Sequence, residues 1–160
     1  MKRIFIFQVI VIAMFIGTNS LFAQNDRVWI NPGLKLGYTF GENGGFTWGY
    51  ELSITFQQET IIRYVKVPYC IGLVLDVDYC KNITKTHFGA EFASLGGLCV
   101  GPTWISEGGK TDLGFSIIAF TGVILYPAYT YTYRKEKQDI HEIGGYLKLP
   151  ITDYYTIDVP

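Results

Sequence analysis

The chain has 160 residues, of which 49% are hydrophobic, 16% aromatic and only 17% charged. This composition excludes a disordered tail or an acidic linker, and the length is that of one domain. Eighteen glycines with six prolines argue against a helical bundle, and a formal charge of −1 excludes a broad basic surface for nucleic acid. An all-β chain that is exported from the cytoplasm remains.

The N-terminus has the order of a secretory signal peptide. Lys2 and Arg3 form a positive start, Ile4–Ile16 is an apolar run, and small or polar residues lead to Ala23. We expect a signal peptide over residues 1–23 with cleavage after Ala23. The alternative is a membrane anchor, but the apolar run is shorter than the roughly 20 residues that a spanning helix needs.

Strict alternation predicts the first two strands. In the segment from Gly33 to Phe40, and again from Phe46 to Phe56, large apolar side chains alternate with small or polar ones. The segment between them, Glu42–Gly45, is rich in Asn and Gly and predicts a hairpin turn.

The same pattern recurs six more times, so the sequence predicts about eight antiparallel strands. The longest connection, Gln57–Pro68, separates the second strand from the third. Pro102 falls inside the fifth strand, where we expect a local bulge because proline cannot donate a ladder hydrogen bond. The remaining predicted strands are Tyr69–Cys80, Thr84–Leu95, Gly97–Ser106, Asp112–Tyr126, Ala128–Arg134 and Ile140–Ile151.

Side-chain volume decides which strand face is inside. An eight-stranded barrel has an interior just wide enough for side chains, and the aromatic face is too bulky to fit there. That face therefore turns outward, and lipid is the simplest cover for it. The predicted lipid-facing residues are Leu36, Tyr38, Trp48, Tyr50, Leu52, Ile54, Leu73, Leu75, Phe88 and Phe92. Aromatic residues near strand ends, as expected for interfacial girdles, are Phe40, Phe46, Trp48, Tyr79, Trp104, Tyr126 and Tyr129.

The opposite face is mostly Gly, Ser and Thr with charges of both signs. Such charges can pair across a lumen, where an unpaired one would be costly. Asp76 and Asp78 could indicate a cation site, but two carboxylates alone are weak evidence for calcium, and we expect them to pair with Lys35 or Lys85 instead. The predicted lumenal charge network comprises Lys35, Glu51, Asp76, Asp78, Lys85, His87, Glu91, Arg134, Glu142 and Lys148.

From Trp29 to Ile151 the chain resembles the small, eight-stranded outer-membrane β-barrels of Gram-negative bacteria. Barrels of this class carry an assembly signal in their last strand, and residues 142–149 fit its order through Glu142, Gly144, Leu147 and Leu149. The resemblance implies an antiparallel up-and-down transmembrane β-barrel over residues 24–151. It also implies outer-membrane lipid and the barrel-assembly machinery as partners, without nucleic acid and without an identified protein partner. A C-terminal tail, residues 152–160, extends beyond this pattern.

The reactive residues form no recognisable catalytic or metal-binding motif. Cys70, Cys80 and Cys99 fall on the lumenal face, and three unpaired thiols are favoured over one disulfide with a spare thiol. No cysteine and histidine spacing suits zinc, and no cofactor is expected. His87 fits the lumenal network, and His141 begins the last strand.

We therefore expect a non-enzymatic outer-membrane protein with a structural or interaction role and a narrow, side-chain-filled lumen. An open pore is disfavoured because eight strands leave too little room. One alternative is a soluble periplasmic or secreted barrel that binds an apolar ligand, with the two faces reversed. Another is a lipid-modifying enzyme, which would need His, Ser and a carboxylate to converge near one membrane interface.

Overall fold

A computed structural model describes residues 27–41, 44–62, 65–94, 96–122, 125–149 and 151–152. The predicted signal peptide and most of the tail lie outside these residues. Within this part of the chain no helix is long and apolar enough to cross a membrane. The strands are β1 Arg27–Phe40, β2 Gly45–Ile62, β3 Val65–Cys80, β4 Ile83–Ala93, β5 Gly96–Glu107, β6 Lys110–Thr121, β7 Leu125–Arg134, β8 Ile140–Lys148 and β9 Ile151–Thr152.

The strands close into a barrel. Consecutive strands from β1 to β8 pair antiparallel, and β8 also pairs with β1. The short β9 pairs with β1 beyond β8, and the Leu149 amide donates to the Pro32 carbonyl at 3.0 Å between them, so β9 continues the last strand. The fold is a closed, eight-stranded, antiparallel up-and-down barrel, which confirms the predicted fold class.

The pairing register tilts the strands around the barrel axis. Stepping from partner to partner, from Gly37 in β1 through β8 and every other strand, the path returns to β1 at Arg27, ten residues away. A stagger of this kind requires strands inclined by about 35–45° to the axis. Side chains that meet inside the barrel therefore come from positions far apart in sequence.

Alternate side chains separate cleanly into an inner and an outer set. Along β4, for example, His87 and Glu91 are buried while Phe88 and Phe92 are exposed. All ten residues of the predicted lipid-facing set point outward, with exposed fractions between 38% and 59%. The barrel thus carries most of its large apolar residues on the outside, and its interior is mainly polar with small apolar clusters.

The predicted long connection between the second and third strands is mostly strand. β2 extends to Ile62 and β3 begins at Val65, and the two pair along this whole length. Pairing of β2 with β1 reaches only Gln57, and pairing of β3 with β4 reaches only Cys70. The hairpin therefore continues past the neighbouring strands as a two-stranded ribbon.

The predicted boundary between the sixth and seventh strands is wrong. The sequence pattern placed the break after Tyr126, whereas β6 ends at Thr121 and β7 begins at Leu125. Gly122 has φ +128°, a conformation that glycine adopts without the strain of a side chain. The earlier turn reverses the facing of Tyr126, whose ring packs 5.9 Å from the buried Phe120 rather than joining an outer girdle.

The bulge expected at Pro102 is also absent from the described ladder between β4 and β5. His87 pairs with Thr103 and Ala90 with Val100, so the register is the same on both sides of the proline. Beside the proline, β5 instead lies very close to β4. A Cβ atom on Gly101 would lie 2.1 Å from the Phe88 carbonyl oxygen, so only glycine fits here.

Replacing Gly101 by alanine tests this close approach. We expect Gly101→Ala to destabilise the barrel by about 1–3 kcal/mol, because backbone atoms of β4 must move to admit the methyl group. Chemical denaturation followed by tryptophan fluorescence measures the change. Gly33→Ala is the matched control, since its Cβ would meet no atom closer than 3.4 Å. Equal stabilities for the two variants would contradict the interpretation.

Candidate functional site

The interior is organised around five buried charged side chains, which we call the central cluster. Lys35 lies on β1, Asp76 and Asp78 on β3, Lys85 on β4 and Glu142 on β8, and each is at most 4% exposed. Successive side chains of a strand point to opposite faces. Each of these charged residues therefore points inward, while its neighbours along the strand point outward. Four strands on opposite walls of the barrel are thereby connected through its centre.

Lys35 and Glu142 hold this cluster together. The Lys35 Nζ atom lies 2.6 Å from Asp78 Oδ2, 2.7 Å from Glu142 Oε1 and 3.4 Å from Asp76 Oδ2. Lys85 contacts Glu142 Oε2 and lies 3.1 Å from Asp78 Oδ2. Two carboxylates therefore bridge the two ammonium groups, which is how buried ions are accommodated at tolerable cost.

Neutral groups add hydrogen bonds to the central cluster. Thr39 donates to Glu142 Oε2 at 3.0 Å, and the Tyr146 hydroxyl donates to Asp76 Oδ2 at 3.0 Å. The same tyrosine ring lies 5.2 Å from Lys35 Nζ, within the range of a cation–π contact.

A second group of charges, the lower cluster, lies inside the barrel and consists of Lys148, Glu51 and Glu91. The Lys148 Nζ atom is 2.6 Å from Glu51 Oε1 and 3.2 Å from Glu91 Oε2. It also lies 5.0 Å from the centre of the Phe120 ring and 5.2 Å from that of Tyr126. Aromatic rings and carboxylates together surround this one ammonium group.

A third group, the rim cluster, lies where the β5–β6 and β7–β8 turns come together. Arg134 donates to Glu107 at 3.0 Å and to Asp112 at 3.1 Å, and Lys137 contacts both carboxylates at 2.8 Å. Sequence reasoning placed Arg134 inside but missed its carboxylate partners Glu107 and Asp112 and the second cation, Lys137. These three residues lie in or near turns, whose conformation the strand alternation does not predict.

His87 is buried but contacts hydroxyl and thiol groups in the hydrogen-bond network. Its Nδ1 atom lies 2.9 Å from Thr103 Oγ1, and its Nε2 atom lies 3.4 Å from Cys99 Sγ. A chain of hydroxyls continues from Thr103 through Ser116 to Thr132. Together with His87, the nine other residues of the predicted lumenal network are each at most 8% exposed.

The interior has little free volume beside the central cluster. The cavity there measures about 10 Å³ and is bordered by Asp76, Asp78, His87 and the hydroxyl chain. That volume is about enough for one water molecule. Three lysines and five carboxylates of the central and lower clusters thus fill the barrel rather than line an open passage.

The remaining reactive groups do not assemble into a further site. The three cysteines form no disulfide with one another, and Cys80 and Cys99 are buried while Cys70 is half-buried. Among the described residues no group of His, Cys, Asp and Glu could hold a metal ion.

His141 lies on the outer surface of the barrel. Its Nδ1 atom is 2.6 Å from the Tyr129 hydroxyl, and the neighbouring Tyr131 donates to Asp139 at 2.6 Å. Hydrogen bonds from Tyr131 and from the Arg134 amide hold the pKa of Asp139 below its usual value. The two histidines therefore lie on opposite faces of the barrel wall.

The residues of the predicted assembly signal have divided orientations. Glu142 belongs to the central cluster, while Leu147 and Leu149 are exposed on the outside. Gly144 lies against β1, where a Cβ atom would come within 2.6 Å of the Leu36 carbonyl oxygen. Each position of the motif thus has a structural reason in the closed barrel.

No protein-family model and no curated protein matches the chain. Among solved structures, a match is found with Ail, the attachment invasion locus protein of Yersinia pestis. It covers 78% of this chain and 99% of that chain, with 12% sequence identity and a TM-score of 0.25. A likeness of this size supports no conclusion about activity.

The central cluster generates a stability prediction. We expect Lys35→Met to destabilise the barrel by about 3–5 kcal/mol, because three buried carboxylates would then share only Lys85. Denaturant unfolding of the folded barrel measures the loss. Adding Asp76→Asn should restore part of it, since this removes one of the uncompensated charges.

The exposed Lys110 provides the control, and Lys110→Met should change the unfolding free energy by less than about 0.5 kcal/mol. A Lys35→Met variant as stable as that control would show that the cluster does not hold the barrel together.

Proposed function

We propose that this chain is an integral outer-membrane β-barrel with a non-enzymatic, structural or interaction role. The observation that supports the proposal is the inverted polarity of the closed barrel. Charged side chains fill its interior, and large apolar side chains cover its exterior. Water is a poor solvent for such an exterior, and lipid is a good one.

The outer surface has the features that a bilayer requires. Apolar side chains from every strand between β1 and β8 are exposed, and they include Leu36, Tyr50, Leu75, Phe92, Leu98, Trp104, Ile117, Tyr129 and Ile143. Closure of β1 onto β8 satisfies the backbone groups that would otherwise be left unpaired in hydrocarbon. A lipid-exposed barrel needs both features, and the apolar exterior is the one that a soluble barrel avoids.

Export and assembly complete the proposal. The signal peptide over residues 1–23 is cleaved after Ala23, and the N-terminus of the barrel and the tail 152–160 lie in the periplasm. The connections that follow β1, β3, β5 and β7 then face the outside. The last strand presents Leu147 and Leu149 outward to the barrel-assembly machinery, consistent with the signal that residues 142–149 resemble.

The two alternatives lack structural support. A soluble barrel for an apolar ligand needs an apolar interior, and this interior holds the central and lower clusters. A lipid-modifying enzyme needs a histidine near a serine and a carboxylate, but the outer His141 pairs with Tyr129. His87 does reach a hydroxyl chain, yet it is only 4% exposed inside the barrel.

Fractionation of expressing cells tests the location directly. We expect the protein in the outer-membrane fraction, migrating differently on an SDS gel before and after boiling because a closed barrel resists detergent. A soluble protein with a single migration position would sink the proposal.

A charge on the outer surface tests contact with lipid. We expect Tyr50→Lys, at mid-strand, to reduce stability by about 2–4 kcal/mol and to impair assembly, because an ammonium group would enter the hydrocarbon. Urea unfolding from lipid vesicles measures the cost. Leu113→Lys, close to the β5–β6 turn, is the matched control and should cost only about 0–1 kcal/mol. Equal costs at the two depths would argue against a bilayer around the barrel.

A further inference from the structure

The barrel has a second and larger cavity at the end where the rim cluster lies. This mouth pocket measures about 200 Å³. Its apolar lining comes from Phe40, Ile83 and Ile140, and its polar lining includes Arg134, Glu107 and Gln138. It is partly open to the outside, whereas the small cavity beside the central cluster has room only for water.

Arg134 gives the mouth pocket an unused hydrogen-bond donor. One nitrogen of its guanidinium group donates to Glu107 and Asp112, but the Nε–H group has no acceptor among the residues that the structure describes, and the side chain is only 7% exposed. A buried donor without a partner carries a desolvation penalty that an incoming acceptor would relieve. Arg134 lines the pocket, so a small movement of its side chain would let this buried group donate to an oxygen atom of a ligand.

The charges around the pocket indicate that the ligand is neutral. Two cations, Arg134 and Lys137, face two anions, Glu107 and Asp139, so the lining has no net charge. A free anion would meet both carboxylates, and a free cation would meet both basic groups. A ligand with several hydroxyl groups suits both the carboxylates and the basic groups, since each hydroxyl can donate and accept a hydrogen bond.

The size and the apolar lining of the mouth pocket narrow the class of ligand further. A cavity of about 200 Å³ is smaller than the 300–1,000 Å³ typical of drug-sized ligands, which leaves room for one small ring. Sugar rings combine hydroxyl groups with an apolar C–H face, and that face suits Phe40, Ile83 and Ile140. We propose that the mouth pocket binds one neutral sugar unit, with Arg134 Nε donating to a sugar oxygen.

This inference goes beyond the proposed function, since only the side from which the sugar arrives depends on the membrane location. A free monosaccharide and the terminal unit of a surface glycan share the required chemistry. Competition between a methyl glycoside and an oligosaccharide that ends in the same sugar distinguishes these two sources. Both competitors are tested for binding to the same mouth pocket.

The test uses the full chain folded in phosphocholine micelles, which carry no sugar themselves. The probes are methyl β-glucopyranoside, methyl α-mannopyranoside and N-acetylglucosamine, titrated while the NMR signals of the Ile83 and Ile140 methyl groups are followed. We expect at least one probe to shift both signals with saturation. Arg134→Lys, which keeps the charge but removes the Nε–H group, should weaken that binding about tenfold.

Gln138→Ala supplies a second variant in case Arg134→Lys does not fold, and it should weaken binding several-fold. Gln57→Ala, the same substitution at the opposite end of the barrel, should leave binding unchanged. The proposal is overturned if no probe shifts the two isoleucines in the folded protein, or if neither folded pocket variant weakens binding. Binding of acetate or tetramethylammonium in preference to the sugars would also overturn it.

Gel migration before and after boiling is recorded on the same samples. A barrel that fractionates as soluble but binds a sugar would refute the membrane location and retain this inference. A heat-modifiable outer-membrane barrel that binds none of the three probes would do the reverse.

Discussion

The narrowness of the closed interior governs the rest of this structure. Eight strands with a stagger of ten residues leave a space that side chains alone can fill, so every inward side chain must find its partner inside. Charged residues meet that condition only in groups. Glu142 contacts Lys35 and Lys85, and Asp78 contacts the same two lysines from another strand. Strand register follows from this arrangement, because a slip by one residue would turn each of these charges into the outer surface.

Tyr146 joins the central and lower clusters into one continuous interior. It is 2% exposed, its hydroxyl donates to Asp76, and its ring lies 5.2 Å from Lys35 and 5.5 Å from Lys148. β1 and β8 also pack closely against each other, since a Cβ atom on Gly37 would lie 3.1 Å from the Gly144 Cα atom. Large and small residues thus alternate so that ions, rings and glycines fill one volume.

The sequence was informative wherever period-two alternation was strong and failed where a single backbone feature interrupted it. Strand faces from Gly33 to Phe56 follow directly from alternation, because a strand exposes its residues in turn. Alternation did not predict correctly on which side of the strand Tyr126 lies, since β6 ends before Gly122 and the apolar pattern continues past it. The prediction of a bulge at Pro102 was wrong for a related reason. Gly101 allows β4 and β5 to approach closely, which composition alone does not reveal.

The sequence predicted part of the charge pairing. Asp76 and Asp78 were expected to pair with Lys35 or Lys85, and the structure places Lys35 beside both carboxylates and Lys85 beside Asp78. The contacts of Glu142 with the two lysines were not predicted, because they depend on the closure of β8 onto β1 and on the stagger of the barrel. A filled interior then leaves the outer wall and the two ends of the barrel as places for interaction. At the mouth, the connections between strands are only two to five residues long, which is too short to build the roughly 800 Å² per partner that a stable protein interface needs. A recognition site at the mouth must therefore be small, which is why a single hydroxyl-rich ring fits this barrel better than a protein surface does.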